Sequence, residues 1–290
     1  MKVLAPAKIN LYLKILGKRP DGYHELETLM CAVDLMDELE FEPRAEGIHL
    51  KVEGANLPAG PDNLVWRAAK ALLDKSRKKA GANIILRKQI PAGGGLGGGS
   101  SDAASTLLAL NKLWNLNFDA RALSELAAQL GSDVAFFLQP HPAICTGRGE
   151  KIRPTLLKNL PWAVLFNPGF GVPSPWAYKT YAQNPQSGAK GKTFYWSEPD
   201  QGISLQNDLE PAVFSKYLWI AETKSWLQKN PLAKDALMSG SGATVFALVA
   251  DEMTGKLLAD EAQERLGEKT WIRVVQLLAK VEDFRQNEQN

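Results

Sequence analysis

Four short stretches of this sequence hold residue types that could do chemistry. The most conspicuous is Pro91-Ala-Gly-Gly-Gly-Leu-Gly-Gly-Gly-Ser-Ser-Asp-Ala-Ala104, in which six of the nine residues from Gly93 to Ser101 are glycine. Glycine allows positive φ and lets backbone lie close against a bulky ligand. Ala103, Leu107, Leu110 and Trp114 follow at helical spacing, so the loop runs directly into a buried helix. A helix start offers unpaired N–H groups and the positive end of its dipole, which together suit an anion, most naturally phosphate. Ser100 and Ser101 read as N-cap residues whose hydroxyls could also reach a phosphate or a metal ion. Gly17-Lys-Arg-Pro-Asp-Gly-Tyr-His24 puts two cations, an aromatic ring and an imidazole in one turn-rich segment, either a binding loop or a solvated turn. In Gly131-Ser-Asp133-Val-Ala-Phe-Phe-Leu138, Asp133 is either a helix N-cap or a carboxylate at the mouth of a buried element. Lys8, beside Pro6 at the start of an alternating run, is placed to project into a cleft.

The glycine stretch matches none of the common nucleotide loops. A P-loop needs a lysine just before Ser100, and none is there. A dinucleotide fingerprint follows the first strand of its domain, whereas this loop lies a third of the way along the chain. A protein-kinase glycine loop joins two hairpin strands and does not open a helix. A flexible linker is polar on both sides, but here Asn83–Ile90 reads as a strand and an apolar helix follows.

The elements that must position these groups are readable in outline. Ile9, Leu11, Leu13 and Ile15 alternate with Asn10, Tyr12 and Lys14, a strand over residues 2–16. Residues 25–42 and 48–53 give further strands. A helix opens at Asp62, its expected N-cap, and closes through the basic run Lys75–Lys79 to Gly81. Another spans Asp119 to Leu130, with Asp119 as N-cap and Gly131 as stop. Residues 141–153 look like a strand and a turn. From Pro154 the spacing predicts a strand at Trp162–Phe166 and a short helix at Trp176–Tyr181 with Ser174 as N-cap. It then predicts an exposed loop over 184–203 and a long helix over 208–229. A second glycine turn, Met238-Ser-Gly-Ser-Gly-Ala-Thr-Val-Phe246, feeds a strand; a helix at 252–266 and a strand at Trp271–Val275 follow, then a frayed polar tail over 282–290. The second half therefore reads as an α+β sandwich.

Composition narrows the function classes. With 290 residues, 45% hydrophobic and 23% charged, the chain is an ordinary globular protein of one large or two ordinary domains. A net charge of +2 is too small to argue for nucleic acid or a membrane surface. No apolar run approaches the roughly 20 residues of a membrane span, and the N-terminus does not read as a secretory signal. Two cysteines and three scattered histidines give neither a disulfide framework nor metal-ligand spacing. A reducing cytoplasm is the compartment these features suit.

Three segments, in order, resemble the motifs of the GHMP small-molecule kinases: Pro6-Ala-Lys-Ile-Asn-Leu-Tyr-Leu13, the glycine stretch from Pro91, and Met238-Ser-Gly-Ser-Gly-Ala-Thr-Val-Phe246. The resemblance runs from about residue 2 to 275 and is thinnest between 176 and 235. It implies an α+β, two-domain GHMP kinase architecture. Residues 1–153 would form a ribosomal-protein-S5-like ATP-binding and catalytic domain, and 154–283 a ferredoxin-like substrate domain. It implies Asp133 as catalytic carboxylate and Lys8 as its partner. Pro91, Gly93, Gly94, Gly95, Leu96, Gly97, Gly98, Gly99, Ser100 and Ser101 would hold ATP phosphates, and Asn63 and Leu64 the adenine and ribose. Mg²⁺ would bridge the phosphates with few or no protein ligands, Ser100 or Ser101 being the best candidates; the metal ligands stay open. With its Gly-Tyr-His turn the chain resembles those members whose acceptor is a cytidine diphosphate-linked methylerythritol, in non-mevalonate isoprenoid synthesis. Tyr23, His24 and Tyr178 would then surround the cytosine, Tyr178 standing where phenylalanine is the more usual residue. Asn10 would hold a substrate hydroxyl, and Ser174, Gly240 and Gly242 would complete the acceptor side. A homoserine or mevalonate-type acceptor needs no aromatic clamp, and a non-catalytic nucleotide-binding relative needs neither Lys8 nor Asp133. A monomer or weak homodimer is expected, without nucleic-acid or membrane partners.

Overall fold

The computed structural model describes residues 1–196 and 202–279; the expected polar tail, and residues 197–201 of the expected loop, lie outside them. Two sheets organise the chain. The first is built on a long hairpin, β1 (Lys2–Lys18) and β2 (His24–Arg44). Its path runs β10–β1–β2–β4–β3, with β3 (Gly47–Glu53), β4 (Gly81–Arg87) and β10 (Gln206–Asn207); β5 (Ala143–Gly147) also pairs with β2, and β6 (Lys151–Pro154) with β5. The second sheet is antiparallel, in the order β11–β12–β7–β13. Its strands are β7 (Trp162–Asn167), β11 (Asp235–Met238), β12 (Val245–Val249) and β13 (Trp271–Gln276). A small hairpin pairs β8 (Thr193–Phe194) with β9 (Ile203–Ser204).

Helices cover the outer face of each sheet. Helices α1 (Leu64–Ser76), α2 (Gly98–Leu113) and α3 (Ala120–Leu130) share a core with Val3, Ala5, Leu39 and Phe41 of the first sheet. The second sheet carries α4 (Ser174–Gln183), α5 (Glu210–Phe214), α6 (Leu218–Lys229) and α7 (Glu252–Leu266). Its strands are apolar on both faces, and alternation explains why. Val164, Phe166, Val245 and Ala247 face the helices, while Ala163, Leu165, Phe246 and Leu248 face Ile9, Leu11, Leu29 and Cys31 of the first sheet. The second half has the expected ferredoxin-like order, β7–helices–β11–β12–α7–β13, with β7 and β12 central.

Several local expectations shift. Asn63, not Asp62, caps α1, its side chain accepting from the Val65 N–H. That helix ends at Ser76, with Arg77 left-handed, and Gly81 opens β4 instead of stopping the helix. Asp119 does cap α3, accepting from Ala122 N–H. Gly97, at φ 72°, precedes α2, so Ser100 and Ser101 lie inside its first turns and are not caps. Pro173 precedes α4, leaving Ser174 as its first residue. The long helix expected over 208–229 breaks between Phe214 and Leu218. Lys8 lies in the body of β1, not at its start.

One buried ion pair anchors the second half. Glu210 and Lys224 meet at 2.5 Å with little exposure, and the Glu210 carboxylate also accepts from the Met238 N–H. Burial pushes the Glu210 carboxyl above its usual range, Lys224 opposing. Lys224→Met leaves that acid buried without a cation, so unfolding free energy by urea titration falls by about 3–5 kcal/mol. A loss under about 1 kcal/mol would show that the pair does not anchor the fold.

Candidate active site

The site is a single cleft of about 1010 Å³ whose walls come from both halves of the chain. At its centre lies Lys8. Its side chain is only 3% exposed, so its ammonium must find acceptors within the protein. It has three. Nζ donates to Asn10 Oδ1 at 2.6 Å and to the Gly95 carbonyl at 3.1 Å, and lies 3.4 Å from Asp133 Oδ2. Lys8 and Asn10 share a face of β1, which is what brings their side chains together. Asn10 in turn donates through Nδ2 to Thr28 Oγ1 at 2.8 Å. Both ends of the Asn10 amide are thus engaged by the protein; it orients Lys8 as well as lining the cleft.

Asp133 is not a helix cap. It sits in the turn after α3, two residues before Ala135, which precedes the short 3₁₀ turn Phe136–Leu138. Its side chain is 30% exposed, so it reaches both the buried ammonium and the open cleft. A carboxylate so placed can accept a proton from an alcohol while Lys8 offsets the developing charge.

The glycine loop fills one end. Gly93, Gly95 and Gly97 have φ of 68°, 77° and 72°, where L side chains are strained. Gly94, Gly95 and Gly97 are also closely packed. A Cβ on Gly95 would lie 2.1 Å from the Ser239 carbonyl, one on Gly94 2.7 Å from Asn167 Nδ2, and one on Gly97 2.9 Å from the Phe137 ring. The loop is hydrogen-bonded from both sheets. The Lys8 N–H donates to the Leu96 carbonyl, the Thr244 N–H to that of Gly94, and Ser239 Oγ to that of Gly95. Helix α2 then starts with no side-chain cap and no acid in its first turn. Its first N–H groups are therefore left for an anion in the cleft.

Behind the loop lies a charge cluster that sequence reading did not find. The Lys88 ammonium, 3% exposed, donates to Asp37 Oδ2 and, at 2.8 Å, to Asp102 Oδ2. Burial pushes the Asp102 carboxyl up to about 8, with Lys88 opposing and Asp37 reinforcing. For Lys88, burial works to lower the pKa and the two carboxylates outweigh it, so the ammonium stays charged. Ser101 Oγ, Ser105 Oγ and Asp102 Oδ1 are buried without hydrogen-bond partners.

At the opposite end the Gly17–His24 turn is held by its own charges. Arg19 binds Asp21 and, at 2.6 Å, Glu25, while Asp21 accepts from the Tyr23 N–H. His24 opens β2 and stacks on Tyr178 of α4, ring centroids 5.5 Å apart and 21° from parallel. The Arg148 guanidinium lies 4.8 Å from the centre of the Tyr23 ring. Burial, with Lys18 nearby, lowers the His24 pKa.

Of the residues singled out from sequence, Lys8, Asn10, Tyr23, His24, Asn63, Leu64, Pro91, Gly93–Ser100, Asp133, Ser174, Tyr178 and Gly240 line this one cleft. Ser101 lies behind the wall, fully buried. Gly242 is not on the wall either; a Cβ there would point at Met238 and Ile220 in the core of the second half. The second glycine turn serves mainly as a buttress for the first. Lys18, Lys88, Asp102, Arg148, Lys179 and Ser241 also line the cleft; Arg148, between two glycines after a strand, was the most readable of these.

Residues 63–140 match the family described as "GHMP kinases N terminal domain", and residues 196–268 match "GHMP kinases C terminal". A protein of Methylacidiphilum infernorum named 4-diphosphocytidyl-2-C-methyl-D-erythritol kinase is 45% identical over 280 residues, covering 94% of this chain and 96% of that one. The protein of the same name from Pelotomaculum thermopropionicum is 46% identical, covering 88% and 91%. A crystal structure of 4-(cytidine 5'-diphospho)-2C-methyl-D-erythritol kinase superposes with a TM-score of 0.77 at 35% identity, covering 95% of this chain and 99% of that one. A homoserine kinase from Cytophaga hutchinsonii shares the fold, with a TM-score of 0.72 at 18% identity over 96% of each chain. Matched in both halves, and with the lysine, the aspartate and both glycine turns meeting in one cleft, the chain belongs to the GHMP kinases.

Proposed function

We propose that the protein transfers the γ-phosphoryl group of ATP to the 2-hydroxyl of 4-diphosphocytidyl-2-C-methyl-D-erythritol, in non-mevalonate isoprenoid synthesis. The observation that carries this reading is the Lys8–Asp133 pair, 3.4 Å apart between a phosphate-type loop and an aromatic pair. The names of the relatives, similar over nearly their whole length, support the same acceptor.

The parts divide as follows. The N–H groups of the glycine loop and of α2 bind the phosphates, and Asn63 and Leu64 border the nucleoside. Asp133 accepts the acceptor's proton, and Lys8 offsets the charge that develops there and orients the hydroxyl. Positioning and electrostatics dominate such a transfer. His24, Tyr178 and Tyr23 take the cytosine. Since the His24 and Tyr178 rings already touch, the base takes an outer face or parts them. Among the described residues no cluster of three His, Cys, Asp or Glu side chains could hold a metal ion. We expect Mg²⁺ to be held mainly by phosphate oxygens and water, with Ser100 on the cleft wall and the unpartnered Ser101 hydroxyl as the protein oxygens that would hold it. Such an ion would neutralise phosphate charge. In this reading 1–153 is the ATP-binding and catalytic domain and 154–283 the substrate domain, although Tyr23 and His24 of the first complete the acceptor side. No helix among the described residues is long and apolar enough to cross a membrane, and we assign a cytoplasmic monomer or weak homodimer without nucleic-acid partners.

The test is a coupled ADP-release assay across candidate alcohols. Turnover with homoserine or mevalonate and none with the cytidylyl acceptor would sink the reading. His24→Ala probes the acceptor end. A base stack is worth about 1–3 kcal/mol, so the acceptor KM rises by roughly 5- to 150-fold while the ATP KM stays within twofold. An equal rise in both would remove His24 from that role. Because the His24 pKa is lowered, its ring stays neutral below the ordinary value of 6.5. The wild-type acceptor KM therefore climbs as pH falls, with a midpoint below 6.5. A midpoint at or above 6.5 would show instead a freely solvated imidazole.

A further inference from the structure

The Asp37–Lys88–Asp102 cluster sits where it can control the glycine loop. Asp37, on β2, is fully buried. Its Oδ1 accepts from the backbone N–H groups of Gln89 at 2.6 Å and Ile90 at 2.9 Å, the last two residues before Pro91. Its Oδ2 takes the Lys88 ammonium, which also binds Asp102 in the second turn of α2. The chain of contacts thus runs from the segment leading into the loop, through one ammonium, to the helix leading out of it. Both ends of residues 91–97 are fixed to the same buried strand.

A loop with so many glycines loses much conformational entropy when it orders. Tying its ends beforehand lowers that cost at the moment the nucleotide binds. The electrostatics also fit this placement. With the Asp102 carboxyl pushed up by burial, the cluster carries little net charge beside the N-terminal turns of α2, so it leaves the positive end of the dipole to an anion in the cleft. The ammonium itself is packed under the first residue of that helix. A Cβ on Gly98 would lie 3.1 Å from Lys88 Nζ. A lysine so held has two of its three N–H donors committed to carboxylates.

We propose that Asp37, Lys88 and Asp102 form a clasp that sets the geometry of the glycine loop, so that Lys88 and Asp102 are positioning residues for the ATP phosphates and not ligands to them. This rests on the kinase reading above. Wild-type turnover is the control that separates the two, since its absence would remove that reading, not the clasp.

The experiment is a double-mutant cycle with Lys88→Met, Asp102→Leu and the double variant. Each is measured for the KM of ATP, the KM of the acceptor, kcat, and hydrogen exchange of the backbone amides of residues 92–98. Both single variants raise the ATP KM tenfold or more and leave the acceptor KM within twofold. The double variant is no worse than either single one, because each breaks the same link. Exchange at 92–98 accelerates at least tenfold. Lys88→Met leaves two buried acids without their cation and destabilises the fold. The double variant removes one acid with the lysine and leaves Asp37 its two backbone donors, so it carries the test by itself. Asp102→Asn keeps an oxygen for the ammonium and restores the ATP KM to within threefold of wild type. Additive effects in the cycle, an unchanged ATP KM in the folded double variant, a proportionate rise in both KM values, or an Asn variant as impaired as the Leu one would each overturn the clasp. So would a lower ATP KM in Asp102→Leu, the signature of a lysine freed to bind phosphate directly.

Discussion

Asp133→Asn binds ATP with unchanged affinity by calorimetry and transfers its phosphoryl group to the acceptor about 10²–10⁴ times more slowly than wild type. The carboxylate is 3.4 Å from the Lys8 ammonium and partly open to the cleft. It makes none of the contacts that hold the glycine loop, which come from Lys8, Ser239 and Thr244. The amide keeps shape and volume, so the ATP end stays intact while the group able to accept a proton is gone. The pair's charge balance changes as well, leaving the buried ammonium with only neutral acceptors, Asn10 Oδ1 and the Gly95 carbonyl. The loss therefore appears in kcat with little change in ATP affinity. Near-normal turnover would remove Asp133 from the chemistry and leave positioning as the whole of the catalysis. Weakened ATP binding would mean that Asp133 holds the nucleotide.

Gly95→Ala should do the converse, with ATP binding weakened by about 100-fold or more. Two costs coincide at this position. The left-handed φ of 77° is worth about 1–2 kcal/mol against an L residue. The added methyl carbon would sit 2.1 Å from the Ser239 carbonyl and 3.1 Å from that of Gly242, both backbone atoms with no rotamer to yield. The loop must lift away from its buttress, taking with it the Gly95 carbonyl that receives Lys8. Gly169→Ala is the control. It has a φ of 83° and nothing within 4 Å of a new methyl group, so it carries the backbone strain alone. If Gly95→Ala binds ATP as well as Gly169→Ala does, close packing of the loop is not what forms the phosphate site.

Much of this site was legible because its residues announce themselves locally. A run of glycines ahead of an apolar helix has few other uses, and the alternation around Ile9 and Leu11 places Lys8 and Asn10 on one face of a strand. What stayed hidden depends on distance along the chain or on competition between neighbours. Asp37 sits in an alternating acidic run that reads as a solvated strand edge. Only the tertiary arrangement brings Lys88, 51 residues on, against it. The Ser-Ser pair looked like a cap because serine prefers that position, but left-handed Gly97 turns the chain into the helix earlier. Asp62 and Asn63 are adjacent and chemically alike, and the choice between them was settled by the Pro58 carbonyl, which takes the Asn63 amide. Gly242 belongs to the third motif by sequence, but its neighbours are core residues, a fact no motif encodes.

The Gly95 carbonyl accepts from Lys8 in the first sheet and from Ser239 in the turn that joins β11 to β12 of the second. One oxygen therefore latches the two halves of the chain together at the loop. The nucleotide loop is not the property of either half. It acquires its shape only when both have folded and docked, so its completion is one cooperative step for the whole molecule. Genetic recombination that exchanged one half for that of a distant relative would have to preserve this latch before it could preserve activity.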